Sequence, residues 1–251
     1  MNIPPLAKKA LAEFLGVALF LTAITGSFRN SSSPFGVLSL SITLGLAIFV
    51  TASISGGHLN PAVSIYFYSR RELSLVEMVS YIGAQVAGAL FGVIIANQMW
   101  QSEVIIATTN EPAMMGDLIS EVFVTGGLVW LVGRLASTGR GAHIPAAVGL
   151  WVLAASIFSS SGAQANPAVA IGLLLVGQGT AQAAGFILAQ LLGMLIAAVF
   201  VVIFADKPKA EVVVAAAAPA VEAVAKKPAA RKPAAKKPAA KKPAAKKPAA
   251  K

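Results

Sequence analysis

The chain contains no cysteine, so disulfide cross-links and thiolate chemistry are excluded. It is also short of charge: 12% of its 251 residues are Asp, Glu, Lys or Arg, against about 25% in an ordinary soluble domain. Histidine occurs only as His58 and His143. There is no His–carboxylate metal cluster, nucleophile elbow or glycine-rich phosphate loop, so no catalytic residue, metal or cofactor is expected. What fills the chain instead is apolar, with 57% of residues hydrophobic, a membrane-protein composition.

The formal net charge of +10 misleads until it is divided along the chain. Residues 1–206 carry seven Lys/Arg and eight Asp/Glu, whereas residues 207–251 carry thirteen and two. The basicity therefore belongs to a tail. From Lys226 the unit Lys/Arg-Lys-Pro-Ala-Ala occurs five times and ends at Lys251. A proline every fifth residue forbids a continuous helix, and like charges with little apolar surface imply disorder. The tail resembles the Lys-Pro-Ala repeats of linker-histone tails. Its expected partner is anionic lipid or nucleic acid, bound without sequence preference, or no specific partner at all.

Apolar runs predict six membrane spans: Ala10–Phe28, Phe35–Ile54, Val76–Met99, Gly116–Leu135, His143–Ser159 and Thr180–Ala205. The first is too long for a signal-peptide core, holds Glu13 and lacks a small-residue cleavage site, so it reads as a helix that stays. Lys8, Lys9, Arg70, Arg71, Arg134, Arg140 and the tail fall on one side, and only Arg29 on the other. Both termini are therefore expected in the cytoplasm.

Two copies of one stretch organise these spans. The first is Ser55-Gly56-Gly57-His58-Leu59-Asn60-Pro61-Ala62-Val63 and the second Ser161-Gly162-Ala163-Gln164-Ala165-Asn166-Pro167-Ala168-Val169, with the two Asn 106 residues apart. In each, Asn is a good helix cap and Pro suits the first helical position. A helix from Pro61 to Ser69 spans roughly 14 Å, about half of a bilayer core of roughly 30 Å. Paired half-helices at matching positions of two repeats point to a transport site at the midplane. Glu13 and Glu121 precede their Asn by 47 and 45 residues, and Gln85 and Gln190 follow by 25 and 24. Three spans per half require the second half to be inverted.

These residues resemble the major intrinsic protein family, the aquaporins and glycerol facilitators. Two Asn-Pro-Ala motifs in register, each with Ser-Gly ahead and spans around it, carry the resemblance over about residues 8–205. It implies an all-α membrane protein of six transmembrane helices plus two half-helices in an inverted repeat. The channel would occupy residues 1–206, with repeats at about 8–105 and 112–206, and residues 207–251 would be a cytoplasmic tail. The implied function is a passive channel for water or small uncharged solutes, assembled as a homotetramer with one pore per subunit, integral to the cell membrane. Asn60-Pro61-Ala62 and Asn166-Pro167-Ala168 would meet in the pore, with the carbonyls of Gly56, Gly57, His58, Gly162, Ala163 and Gln164 lining it as acceptors.

One departure matters. Where the family's second motif ordinarily carries Arg, the cation of the outer constriction, this chain has Val169. Spacing assigns the other constriction members to Leu40 (Leu44 as fallback), Ala163 and Ser156 (or Ala154), none of them aromatic or basic. Three pores stay open: one for water, a wider one for glycerol-like solutes, and one nearly closed because Leu40, Ala163 and Val169 dewet it. Glu13 and Glu121 read as loop supports that accept backbone N–H bonds rather than as proton relays, and Gln85 and Gln190 as further ties. The His58 side chain is expected to pack or bond within its loop, away from solute. His143 is expected at the interface.

Overall fold

The structure, a computed structural model, describes residues 3–30, 32–33, 35–103 and 110–205. The expected tail lies outside the described residues. Among the described residues eight α-helices follow one another: α1 Pro5–Arg29, α2 Gly36–Ser55, α3 Pro61–Ser69, α4 Leu75–Met99, α5 Met115–Ser137, α6 Ile144–Phe158, α7 Pro167–Gly172 and α8 Thr180–Ile203. Six are long and apolar enough to cross a membrane, α6 together with the 3₁₀ turn Gly141–His143 that leads into it. Large apolar side chains such as Leu19, Phe49, Phe123, Ile157 and Leu188 point outward, as bilayer-facing surfaces require.

Most boundaries fall within two residues of the sequence expectation. The first span starts earlier, at Pro5 instead of Ala10, because Pro5 occupies the first helical turn after Pro4. The added turns carry Lys9 to Glu77 of α4, 2.6 Å away. The two half-helices also differ in length: α3 has nine residues, whereas α7 has six and tightens into the 3₁₀ turn Leu173–Leu175.

The helices fall into two sets of four with matching contacts. α1 packs along α4 and α5 along α8, while α2 and α6 cross each other between the sets. Small residues set these crossings. A Cβ on Gly88 would run into the Phe14 carbonyl, and one on Gly193 into the Val122 carbonyl, the matching position of the other set. Between α2 and α6 the exchange is mutual: a Cβ on Gly45 would stand 3.0 Å from the Pro145 carbonyl oxygen, and one on Gly149 3.0 Å from that of Ser41. Such close backbone approach is how apolar helices associate where no hydrophobic gradient drives them together. Each half-helix packs on helices of both sets, α3 on α4 and α8, α7 on α8 and α4.

Candidate channel site

The site is built where the two unwound segments meet. Asn60 caps α3, its Oδ1 accepting from Ala62 N at 2.9 Å, and Asn166 caps α7 through Ala168 N at the same distance. The other end of each amide crosses to the opposite segment. Asn60 Nδ2 donates to the Ala165 carbonyl at 2.7 Å, and Asn166 Nδ2 to the Leu59 carbonyl at 2.9 Å. Capping and the cross-bond between the two segments are therefore one arrangement. A carboxamide nitrogen carries two hydrogens, so each Asn has a second N–H beyond this cross-bond.

Each segment is held by a fully buried carboxylate from the helix that begins its set. Glu13 Oε1 accepts from the Ser55 hydroxyl at 2.6 Å and His58 N at 3.0 Å, and Oε2 from Leu59 N at 2.6 Å and Gln85 Nε2 at 2.7 Å. Glu121 repeats the pattern with Ser161, Gln164 N, Ala165 N and Gln190 Nε2 at 2.6, 3.0, 2.8 and 2.7 Å. The glutamines thus buttress the carboxylates, and Gln85 Nε2 also donates to Ser64 Oγ of α3 at 3.0 Å. Four hydrogen bonds offset the cost of burying each carboxyl group. They also hold left-handed backbone at non-glycine positions: Leu59 at φ 48°, Ala163 at 55° and Ala165 at 49°. Such conformations persist only where the surroundings impose them.

Two cavities open along this axis. A narrow central one of about 50 Å³, on the order of one or two waters, is bounded by Asn60 and Asn166 and by Gly56, Gly57 and His58. Its opposite wall is apolar, with Leu44 and Ile48 from α2 and Val148 and Val152 from α6. A second cavity of about 320 Å³, called outer here after the constriction residues expected in it, is lined by Leu40, Ser156, Gly162, Ala163 and Val169 among others. Gln164 lies on both walls. Between the alternatives left by spacing, Leu44 falls on the central cavity and Leu40 on the outer one, while Ala154 is exposed on the outside of the bundle. The carbonyls of Gly56, Gly57, His58, Gly162, Ala163 and Gln164 accept no backbone hydrogen bond among the described residues.

His58 only half follows its expectation. Its Nδ1 lies 3.2 Å from Ser64 Oγ and its ring stacks on Phe67 at 4.7 Å, but the ring also forms part of the central cavity wall. The constriction set expected from sequence held no aromatic, yet Phe20 lines both cavities. It sits seven residues after Glu13 and so on the same face of α1, a spacing that points inward without naming what it meets. Leu59 and Ala165 were also missed as the carbonyls that bind the two asparagines. His143 ends an exposed 3₁₀ turn at the start of α6. No group of acidic or histidine side chains able to hold a metal ion occurs among the described residues.

Comparison with known proteins places the chain in a family and a fold. The model of the family described as major intrinsic protein matches residues 2–160. The aquaglyceroporin AqpS of Rhizobium meliloti is 30% identical over 201 residues, which cover 75% of this chain and 86% of that one. A probable TIP-type aquaporin of Medicago truncatula is 31% identical over 193 residues, covering 69% and 77%. Among solved structures, the aquaglyceroporin of Plasmodium falciparum superposes with a TM-score of 0.63 at 22% identity, over 80% of this chain and 96% of that one, a likeness of fold.

Proposed function

Because this chain belongs to the major intrinsic protein family, we propose that it is a passive pore for water and for small uncharged solutes of the glycerol class, with an outer mouth wider and less polar than that of a water-selective pore. The family is one of membrane channels, and the six apolar helices suit that role. The observation that carries the reading is the reciprocal pair of bonds, Asn60 to the Ala165 carbonyl and Asn166 to the Leu59 carbonyl.

On this reading each asparagine turns its second N–H toward the path. A water molecule accepts both through its lone pairs and points its hydrogens away from the centre, which interrupts a proton wire. The half-helices aim their positive ends at the same place and oppose cations. The apolar wall opposite offers no hydrogen bond, so a passing molecule is guided along the carbonyls of Gly56, Gly57 and His58 and then of Gly162, Ala163 and Gln164. Proteoliposomes loaded with the protein are expected to shrink and re-swell in a glycerol gradient faster than empty ones, with no ionic conductance. Water and glycerol fluxes at the empty-liposome rate would mean a closed pore and refute the proposal.

Four copies assemble, each with its own pore, in the cell membrane with both termini cytoplasmic. The tail binds anionic lipid or nucleic acid or has no specific partner, and conduction does not depend on it. A chain ending at Asp206 is accordingly expected to insert and conduct at an unchanged rate per molecule in stopped-flow measurements. A large loss in correctly inserted protein would make the tail a gate.

A further inference from the structure

Three of the described residues, Phe20, Val152 and Gln164, line both cavities and so form the junction between them. Gln164 is the polar one. Its backbone is pinned, because its N–H donates to Glu121 Oε1 at 3.0 Å. Its side chain is held aside by one bond, from Nε2 to Gln178 Oε1 at 2.7 Å. Gln178 lines neither cavity and lies between the 3₁₀ turn Leu173–Leu175 and α8. Its own N–H donates to the Leu173 carbonyl at 3.1 Å, and its Nε2 faces the Ala170 carbonyl at 3.4 Å, which leaves Oε1 for Gln164.

The first repeat holds the matching residue by other means. His58 stands two residues before Asn60, as Gln164 stands two before Asn166. It bonds Ser64 and stacks on Phe67, both on its own half-helix. The same offsets in the second repeat give Ala170 and Leu173, which have neither hydroxyl nor ring. The hold on Gln164 therefore comes from outside α7.

This held position leaves one group unsatisfied. Gln164 Oε1 is buried and accepts no hydrogen bond from any described residue. A buried acceptor without a donor is unfavourable. The central cavity offers the missing donor, since Asn60 and Asn166 line it and each has a second N–H. Its volume is about 50 Å³, so a carboxamide turned into it leaves no room for a file of waters.

We propose that Gln178 is a positioning residue of the pore: its carboxamide oxygen keeps the Gln164 side chain out of the path, and without it Gln164 turns into the central cavity and blocks it; this rests on the reading of the chain as a pore. The two states differ in named contacts. In the open one Gln164 Nε2 bonds Gln178, and in the blocked one Gln164 Oε1 bonds an asparagine amide.

The test is a rescue. In proteoliposomes of the full chain, with flux counted per inserted molecule, Gln178→Ala is expected to lower water and glycerol permeability together by about three- to tenfold, the shift that one neutral hydrogen bond gives a two-state balance. The double variant Gln164→Ala/Gln178→Ala also lacks the blocking group, and its flux is expected to recover to the wild-type level or above. A residue that only shapes its loop gains nothing from a second truncation beside it. Equal flux in Gln178→Ala and wild-type protein overturns the proposal, and so does a double variant as slow as Gln178→Ala; in both cases the pore reading stands. Wild-type flux at the empty-liposome rate refutes the pore reading and the proposal with it.

Discussion

Glu121→Leu is expected to abolish conduction and to remove a large share of the folded stability. The substitution leaves four donors without an acceptor: Ala165 N and Gln190 Nε2, which are buried, and the Ser161 hydroxyl and Gln164 N, which are half-buried. Each buried one costs about 1–3 kcal/mol and each half-buried one less, so the sum is several kcal/mol, comparable with a total stability of about 5–15 kcal/mol. The loss reaches the pore directly, because Ala165, whose N–H the carboxylate holds, also offers its carbonyl to Asn60. Without the anchor, the left-handed turns at Ala163 and Ala165 lose what imposes them. Glu121→Gln keeps the shape and one acceptor oxygen and should lie between the two. Matching effects are expected at Glu13, whose four bonds are arranged the same way. Thermal unfolding in detergent and flux per inserted molecule measure both consequences. Conduction by Glu121→Leu at the wild-type rate would show that the carboxylate does not support the path.

Val169→Arg is expected to convert the outer mouth from permissive to restrictive. Val169 is 1% exposed and lines the outer cavity with Leu40, Ser156 and Ala163. A guanidinium there projects into a space of about 320 Å³. It adds a fixed positive charge, five donors and a longer side chain. The unpartnered carbonyls of the 162–164 segment are the acceptors within reach of its loop. Glycerol flux should fall about tenfold relative to water, a barrier rise of about 1.4 kcal/mol, and any proton leak should tighten. Stopped-flow permeability ratios on the single variant measure it. Were the ratio unchanged, with the Arg shown to face the cavity, the filter would lie elsewhere along the path, the shared wall of Phe20, Val152 and Gln164 being the next place to look.

The two substitutions probe different kinds of legibility. Glu121 could be singled out because an ionisable residue in an apolar span is costly and needs a reason, and Glu13 repeated it at nearly the same offset. That its partners are one hydroxyl, two backbone N–H groups and one glutamine was not readable, since those bonds bridge 40 to 69 residues of chain. Val169 stood out only against the family pattern. Leu40 and Leu44, one turn apart on one face of α2, could not be separated by counting, because spacing specifies a face and leaves the depth open.

What the sequence alone determined is what depends on length, period and local chemistry: six spans, two Asn-Pro caps in register, an inverted second half and a tail holding the net charge. Tertiary structure decided what depends on which surfaces meet. The close backbone crossings at Gly88, Gly193, Gly45 and Gly149 set the helix register, and through it the depth of every side chain. That register carries Asn60 to the Ala165 carbonyl and Asn166 to that of Leu59. It also brings Phe20 to the path and leaves Ser156 at the outer end of an apolar row. Period assigns a residue to a face, but its neighbour on the next helix is fixed only when backbones pack to contact, and hydrogen bonds across the repeat follow from that packing.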